Sequence, residues 1–109
     1  MKANPPILIL WTCANIEEAR RICQSLVEQK LVACANLIPQ IESIYFWEGK
    51  IESSNEVKVF LKTLDSHFEN VKEHIKKHCS YEVPEISKIL FDGGNSEYFS
   101  WIEKTTGSI

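Results

Sequence analysis

Hydrophobic positions along this chain change their spacing at definite points, and each change marks an element. Ile7 to Trp11 is a continuous apolar run, which predicts a strand buried on both faces in the middle of a sheet. From Asn15 the period becomes helical. Asn15 with Glu18 has the spacing of a capping box, and Ile16, Ala19, Ile22, Cys23, Leu26 and Val27 share one face, so a helix is predicted to about Lys30. Val32 to Trp47 is strand-like but interrupted at Pro39, where proline requires an edge or a bulge. Glu48-Gly49 supplies a turn, and the return stretch from Lys50 to Leu64 is most regular at Val57 to Leu61, so the pair reads as one long hairpin.

The pattern then repeats. Ser66 with Glu69 predicts a second capping box, and Phe68, Val71, Ile75 and His78 mark the face of a helix that ends before Ser80 as Pro84 approaches. A last strand over Ile86 to Phe91 stops at Gly93-Gly94. Asn95 or Ser96 then caps a short terminal helix carrying Tyr98, Trp101 and Ile102 on one side. Leu10 matches Leu61, Thr12 matches Thr63, Asn15 matches Ser66 and Glu18 matches Glu69 at an offset of about 51 residues. Strand, helix, strand occurs twice, joined by a hairpin. This predicts an α+β ferredoxin-like fold of the split βαβ kind, with two helices on one face of an antiparallel sheet and a long hairpin between its second and third strands.

Composition narrows the function. The 109 residues fit one domain, and 44% apolar with 25% charged residues is the balance of a globular chain with a core. A net charge of −3 with scattered Lys and Arg provides no basic stripe for phosphates or anionic lipid, which argues against nucleic acid and membrane partners. The only N-terminal apolar run is too short for a signal-peptide core or a membrane span, so a cytoplasmic location is expected. Cys13, Cys23, Cys34 and Cys79 form no C-x-x-C and read as reduced thiols. Neither a nucleophile-base arrangement nor a phosphate-binding glycine loop is identifiable, and Arg20 and Arg21, both mid-helix, offer no anion clamp for acyl-phosphate hydrolysis.

Five segments together resemble the CutA family: Ala33-Cys34-Ala35-Asn36-Leu37-Ile38-Pro39, Ser43 to Ile51, Leu61-Lys62-Thr63, Tyr81-Glu82-Val83-Pro84-Glu85-Ile86 and Tyr98-Phe99-Ser100-Trp101-Ile102. They cover nearly the whole chain in order. The resemblance implies a single CutA-like domain, a homotrimer, a role tied to divalent-cation tolerance, copper binding and no enzymatic reaction. The chain departs from the family where His78-Cys79-Ser80-Tyr81 replaces the usual His-Pro before the tyrosine. Cysteines that some relatives carry near the positions of Trp11 and His74 are also missing.

Each candidate residue has a structural reading beside the functional one. Thiolate and imidazole suit copper better than magnesium or calcium, so a metal site is expected to use Cys34 or the His78-Cys79 pair, assisted by Glu82. The structural reading makes Cys34 a packed strand thiol and His78 an imidazole that bonds backbone carbonyls at a helix end. Cys23 reads as core. Tyr81 and Glu85 bracket a stiff Val83-Pro84 segment and, with Lys62, are candidates for a ligand cleft. Their alternative is ordinary surface. Tyr45, Phe46 and Trp47 are apolar at successive positions in a hairpin whose arms, at roughly 15 residues, exceed the usual 5 or 6, so they are expected to meet neighbouring subunits of a trimer. The alternative function is a trimeric signalling or scaffold module that binds a protein or small metabolite.

Overall fold

The computed structural model describes residues 4–107. Its elements are β1 (Pro6–Cys13), α1 (Ile16–Glu28), β2 (Cys34–Trp47), β3 (Lys50–Leu64), α2 (Phe68–His78), β4 (Ile86–Leu90) and α3 (Ser96–Thr106), with a single 3-10 turn at Asp65–His67 leading into α2. The strands form one antiparallel sheet in the order β2-β3-β1-β4. This is the ferredoxin-like βαββαβ arrangement with an added terminal helix, as the two-fold pattern predicts.

β1 takes the centre because its odd positions are all apolar. Ile7, Ile9, Trp11 and Cys13 are buried against Ala19, Ile22, Cys23 and Leu26 of α1 and Val71 and Ile75 of α2. Leu8 and Leu10 point to the other side and remain half-exposed. Burial on both faces of this strand is therefore not achieved within the chain, since α1 and α2 cover one side only. Val27, expected on the buried face of α1, is 41% exposed. In β3, Val57, Val59, Leu61 and Thr63 face the helices, and the Thr63 hydroxyl donates to the Leu31 carbonyl at 2.7 Å to pin the end of α1 to the sheet. Leu64 has the opposite parity and packs with Ile102 of α3 and Ala33, so α3 covers one end of the second face.

The capping signals held unevenly. Asn15 Oδ1 accepts from the Glu18 amide at 2.9 Å, but the Glu18 carboxylate turns inward instead of returning to residue 15. Ser66 is not a cap: it lies in the 3-10 turn, where its amide donates to Asn4 Oδ1 at 2.8 Å, and α2 starts after it at Phe68. Asn95 caps α3 through its carbonyl, which accepts from Tyr98 and Phe99.

The hairpin is long because nothing in its sequence stops it. Glu48 and Gly49 both have positive φ, 49° and 80°, the two-residue turn whose twist suits flanking antiparallel strands. Pro39 sits where the β2/β3 register shifts between Ile38 and Ile41, so the expected bulge is present and the proline costs no ladder bond. Beyond that bulge the ribbon leaves the helices behind. Ile44, Phe46, Trp47 and Ile51 are 69%, 71%, 59% and 77% exposed, and the described residues extend over 44 × 27 × 21 Å.

Candidate functional site

A cavity of about 540 Å³ opens on the face opposite α1 and α2, where the root of the hairpin arm meets the segment before β4. Sheet geometry builds it. Register places Lys58 opposite Thr12, and Glu56 opposite Ile41 across the bulge, so these side chains share one face. Tyr45 and Trp47 continue that face up the arm, and Tyr81, Val83 and Glu85 close it from the other side. Pro84 keeps this closing segment extended.

A connected set of hydrogen bonds holds the polar floor. Lys58 Nζ donates to Glu85 Oε1 at 2.7 Å and to Thr12 Oγ1 at 3.0 Å, Thr12 in turn donates to Glu85 Oε1 at 2.7 Å, and Ser87 donates to Oε2 at 3.3 Å. Burial alone would raise the Glu85 carboxyl, but Lys58 and Thr12 outweigh it and hold Glu85 below the usual carboxylate range. Tyr81 donates to Glu56 Oε2 at 2.6 Å. Burial, that bond and the adjacent carboxylate push its phenol well above the ordinary tyrosine value, so it stays protonated. The cleft therefore presents one internally neutralised pair and one carboxylate bridged to a phenol beneath an aromatic wall. Such a set of fixed donors and acceptors can orient a ligand, and its two hydroxyls, Tyr81 and Thr12, are each already engaged by a carboxylate.

Of the predicted cleft residues, the structure brings Tyr81 and Glu85 together but not Lys62. Lys62 lies toward the other end of β3, paired with Leu8 and Cys34, and its amine bonds Asn36 Oδ1. Lys58 stands in its place. Glu56, Lys58 and Thr12 were missed by sequence reasoning, although alternation with buried Val57 and Val59 puts both β3 residues on the face opposite α1 and α2.

The predicted metal residues are dispersed. Cys34 is half-buried at the start of β2, its thiol pointing to Asn36 Oδ1 at 3.7 Å. Cys79 is at the far end of the sheet, packed on the main core with its thiol donating to the Tyr81 carbonyl at 3.5 Å, and burial raises its pKa. Six residues of β3 separate Lys62, beside Cys34, from Glu56, beside Tyr81, which is about 20 Å of strand. His78 is turned toward His74, with ring centroids 4.6 Å apart, and Glu82 is exposed. The expectation that His78 bonds helix-end carbonyls is not met: the one imidazole hydrogen bond among the described residues belongs to His67, to the Gly107 carbonyl at 3.2 Å. Among those residues no three His, Cys, Asp or Glu side chains converge on one point.

Glu18, read from sequence as half of a cap, ties the two helical halves together. Its carboxylate accepts from the Ser80 amide at 3.0 Å and from the Cys13 thiol at 3.4 Å. Burial pushes Cys13 up to about 12, and Glu18 adds to the shift, so this thiol is inert at neutral pH. Cys23, also pushed up to about 12 by burial, is core as expected.

The family model described as CutA1 divalent ion tolerance protein matches residues 7–105. The chain is 37% identical to Protein CutA 1, chloroplastic, of Oryza sativa subsp. japonica, covering 94% of this chain and 58% of that one. It is 38% identical to the divalent-cation tolerance protein CutA of Thermus thermophilus, covering 92% of this chain and 97% of that protein. Among solved structures, the periplasmic divalent cation tolerance protein CutA from Archaeoglobus fulgidus superposes with a TM-score of 0.89 at 38% identity, over 93% of this chain and 98% of that one. The chain thus spans a little over half the length of the plant relatives.

Proposed function

The chain belongs to the CutA1 divalent ion tolerance family, and from that premise we propose that it works as a homotrimer linked to metal tolerance, binding its ligand without transforming it. The observation that carries this reading is the arm: Ile44 and Phe46 on one face and Tyr45 and Trp47 on the other leave an apolar ribbon that one subunit cannot cover. A second and third copy would bury it and pair the free edges of β2 and β4. The chain is read as a single domain, and four unpaired cysteines support a reducing, cytoplasmic setting, although relatives bear chloroplastic and periplasmic names.

Copper is the ion that the resemblance implies. Cys34, His78, Cys79 and Glu82 do not fit one copper ion within a subunit, because Cys34 and Cys79 stand at opposite ends of the sheet and His78 turns toward His74. A thiolate site drawn from this set needs donors from another copy. Cu(I) competition against a chelator, with native mass recorded on the same reduced samples, tests the reading. Three chains per particle and weaker affinity in Cys34→Ser or Cys79→Ser are expected. Unchanged affinity in both variants would remove the thiols from any metal role.

The cleft favours a second reading, a trimeric signalling or scaffold module for a small metabolite or a protein segment. Its volume and its aromatic and carboxylate lining suit a compact organic ligand. Glu56→Gln and Tyr81→Phe would then weaken that ligand while leaving Cu(I) affinity unchanged.

A further inference from the structure

We propose that His74 and His78, one turn apart on the side of α2 turned toward α1, form a two-imidazole site for a divalent first-row transition ion. The inference extends the metal-linked reading and rests on it only for the choice of ion. Its geometry is independent of Cys34 and Cys79.

Residues four apart on a helix share one face, and this spacing lets two imidazoles grip one ion, as in helical metal motifs with histidines at i and i+4. The rings already have nearly the right separation. Two imidazoles binding an ion at about 2.0 to 2.1 Å, at right or tetrahedral angles, hold their centroids about 4.5 to 5.2 Å apart. Here the centroids are 4.6 Å apart with planes inclined at 49°. The pair borders a small surface cavity of about 170 Å³ with Arg21, Ile22 and Ser25 of α1. His74 is half-buried there and His78 is exposed, so one ligand is held by packing while the other can turn toward the ion.

The ring nitrogens are available. Neither imidazole makes a hydrogen bond to the protein among the described residues, where His67 has the one such bond. Arg21 and Lys77 set a limit, since nearby cations oppose a bound cation. Two protein ligands leave the remaining positions to water, so the site should be weak and exchangeable. Imidazole donors suit Ni(II), Cu(II) and Zn(II), and exclude Mg(II) and Ca(II).

Calorimetric titration of the reduced full chain with Ni(II), which thiols do not reduce, tests the proposal on wild type, His74→Gln, His78→Gln and Cys34→Ser/Cys79→Ser. One Ni(II) per chain is expected. Each histidine variant should lose about tenfold or more in affinity, while the double cysteine variant keeps it and thermal melts show every variant folded. Binding unchanged in either histidine variant, binding lost only in the cysteine variant, or no binding to wild type would overturn the site. The thiol reading fails by a different result, unchanged Cu(I) affinity in the cysteine variants, so the two ideas fall separately.

Discussion

The same two strands behave differently at the two ends of the hairpin. At the base, β3 alternates strictly, with Val57, Val59 and Leu61 sealed under α1 and α2 and Lys58 turned to the open face. At the tip, the alternation no longer sorts apolar from polar: Phe46 pairs with Ile51 on one face, while Tyr45 and Trp47 occupy the other. Base residues have partners within the chain, and tip residues do not. The comparison teaches that two hydrophobic faces in a strand mean burial by something, and that only the reach of the helices tells whether that something is internal.

Substitution at the two ends should break different things. The largest effect belongs to the base. Trp11→Ala opens a cavity under both helices and should cost about 3 to 5 kcal/mol, lowering the urea midpoint and releasing secondary structure together with any assembly. At the tip, Trp47→Ala removes an aromatic of similar size that its own subunit leaves mostly exposed. Circular dichroism should stay near native while the mass measured by light scattering falls. If both substitutions melt the fold equally, base and tip are one cooperative unit and the distinction fails.

Glu18 sharpens the comparison from inside the body. Glu18→Ala leaves the Ser80 amide without its acceptor and should cost about 1 to 3 kcal/mol by chemical denaturation. Burial alone would raise this carboxyl, but hydrogen bonds from Ser80 and Cys13 and the charge of Arg21 outweigh burial and lower its pKa in the folded chain. A carboxyl depressed on folding contributes stability that is full above its unfolded value of about 4.3 and lost as pH falls through the folded value. Glu18→Gln should therefore flatten the loss of stability in acid. An unchanged acid slope would mean that the carboxylate is not coupled to folding. The smallest effect is expected from Glu85→Gln. The Lys58 pair is partly open to solvent, with Glu85 48% exposed, so the change in stability should stay within about 1 kcal/mol.

The fold was legible because burial in this chain is local and periodic. The 3.6-residue stripe of α1, the proline at the bulge and the Glu48-Gly49 turn each dictate backbone with little help from distant residues. Ser66 does not cap α2: Asn4, 62 positions away, donates to its hydroxyl and accepts from its amide. The cleft was half legible. Tyr81 and Glu85 stood out by their place around Pro84, but Lys58 and Thr12 join them through the β1/β3 register, which no local pattern fixes. Lys62 and Lys58 have the same parity on β3, and only the register shows that Lys58 is the one that meets Glu85. How the metal candidates lie relative to one another was least legible, since adjacency of His78 and Cys79 in sequence says nothing about direction at a helix end.

Sedimentation equilibrium of the wild-type chain and Phe46→Glu at micromolar concentration bears most directly on the arm. Phe46 is 71% exposed, so a single subunit tolerates glutamate there, whereas an apolar contact between copies does not. The account predicts a wild-type mass three times that of the chain and a folded Phe46→Glu variant of much lower mass. A folded wild-type monomer, or a Phe46→Glu trimer as stable as wild type, would contradict it.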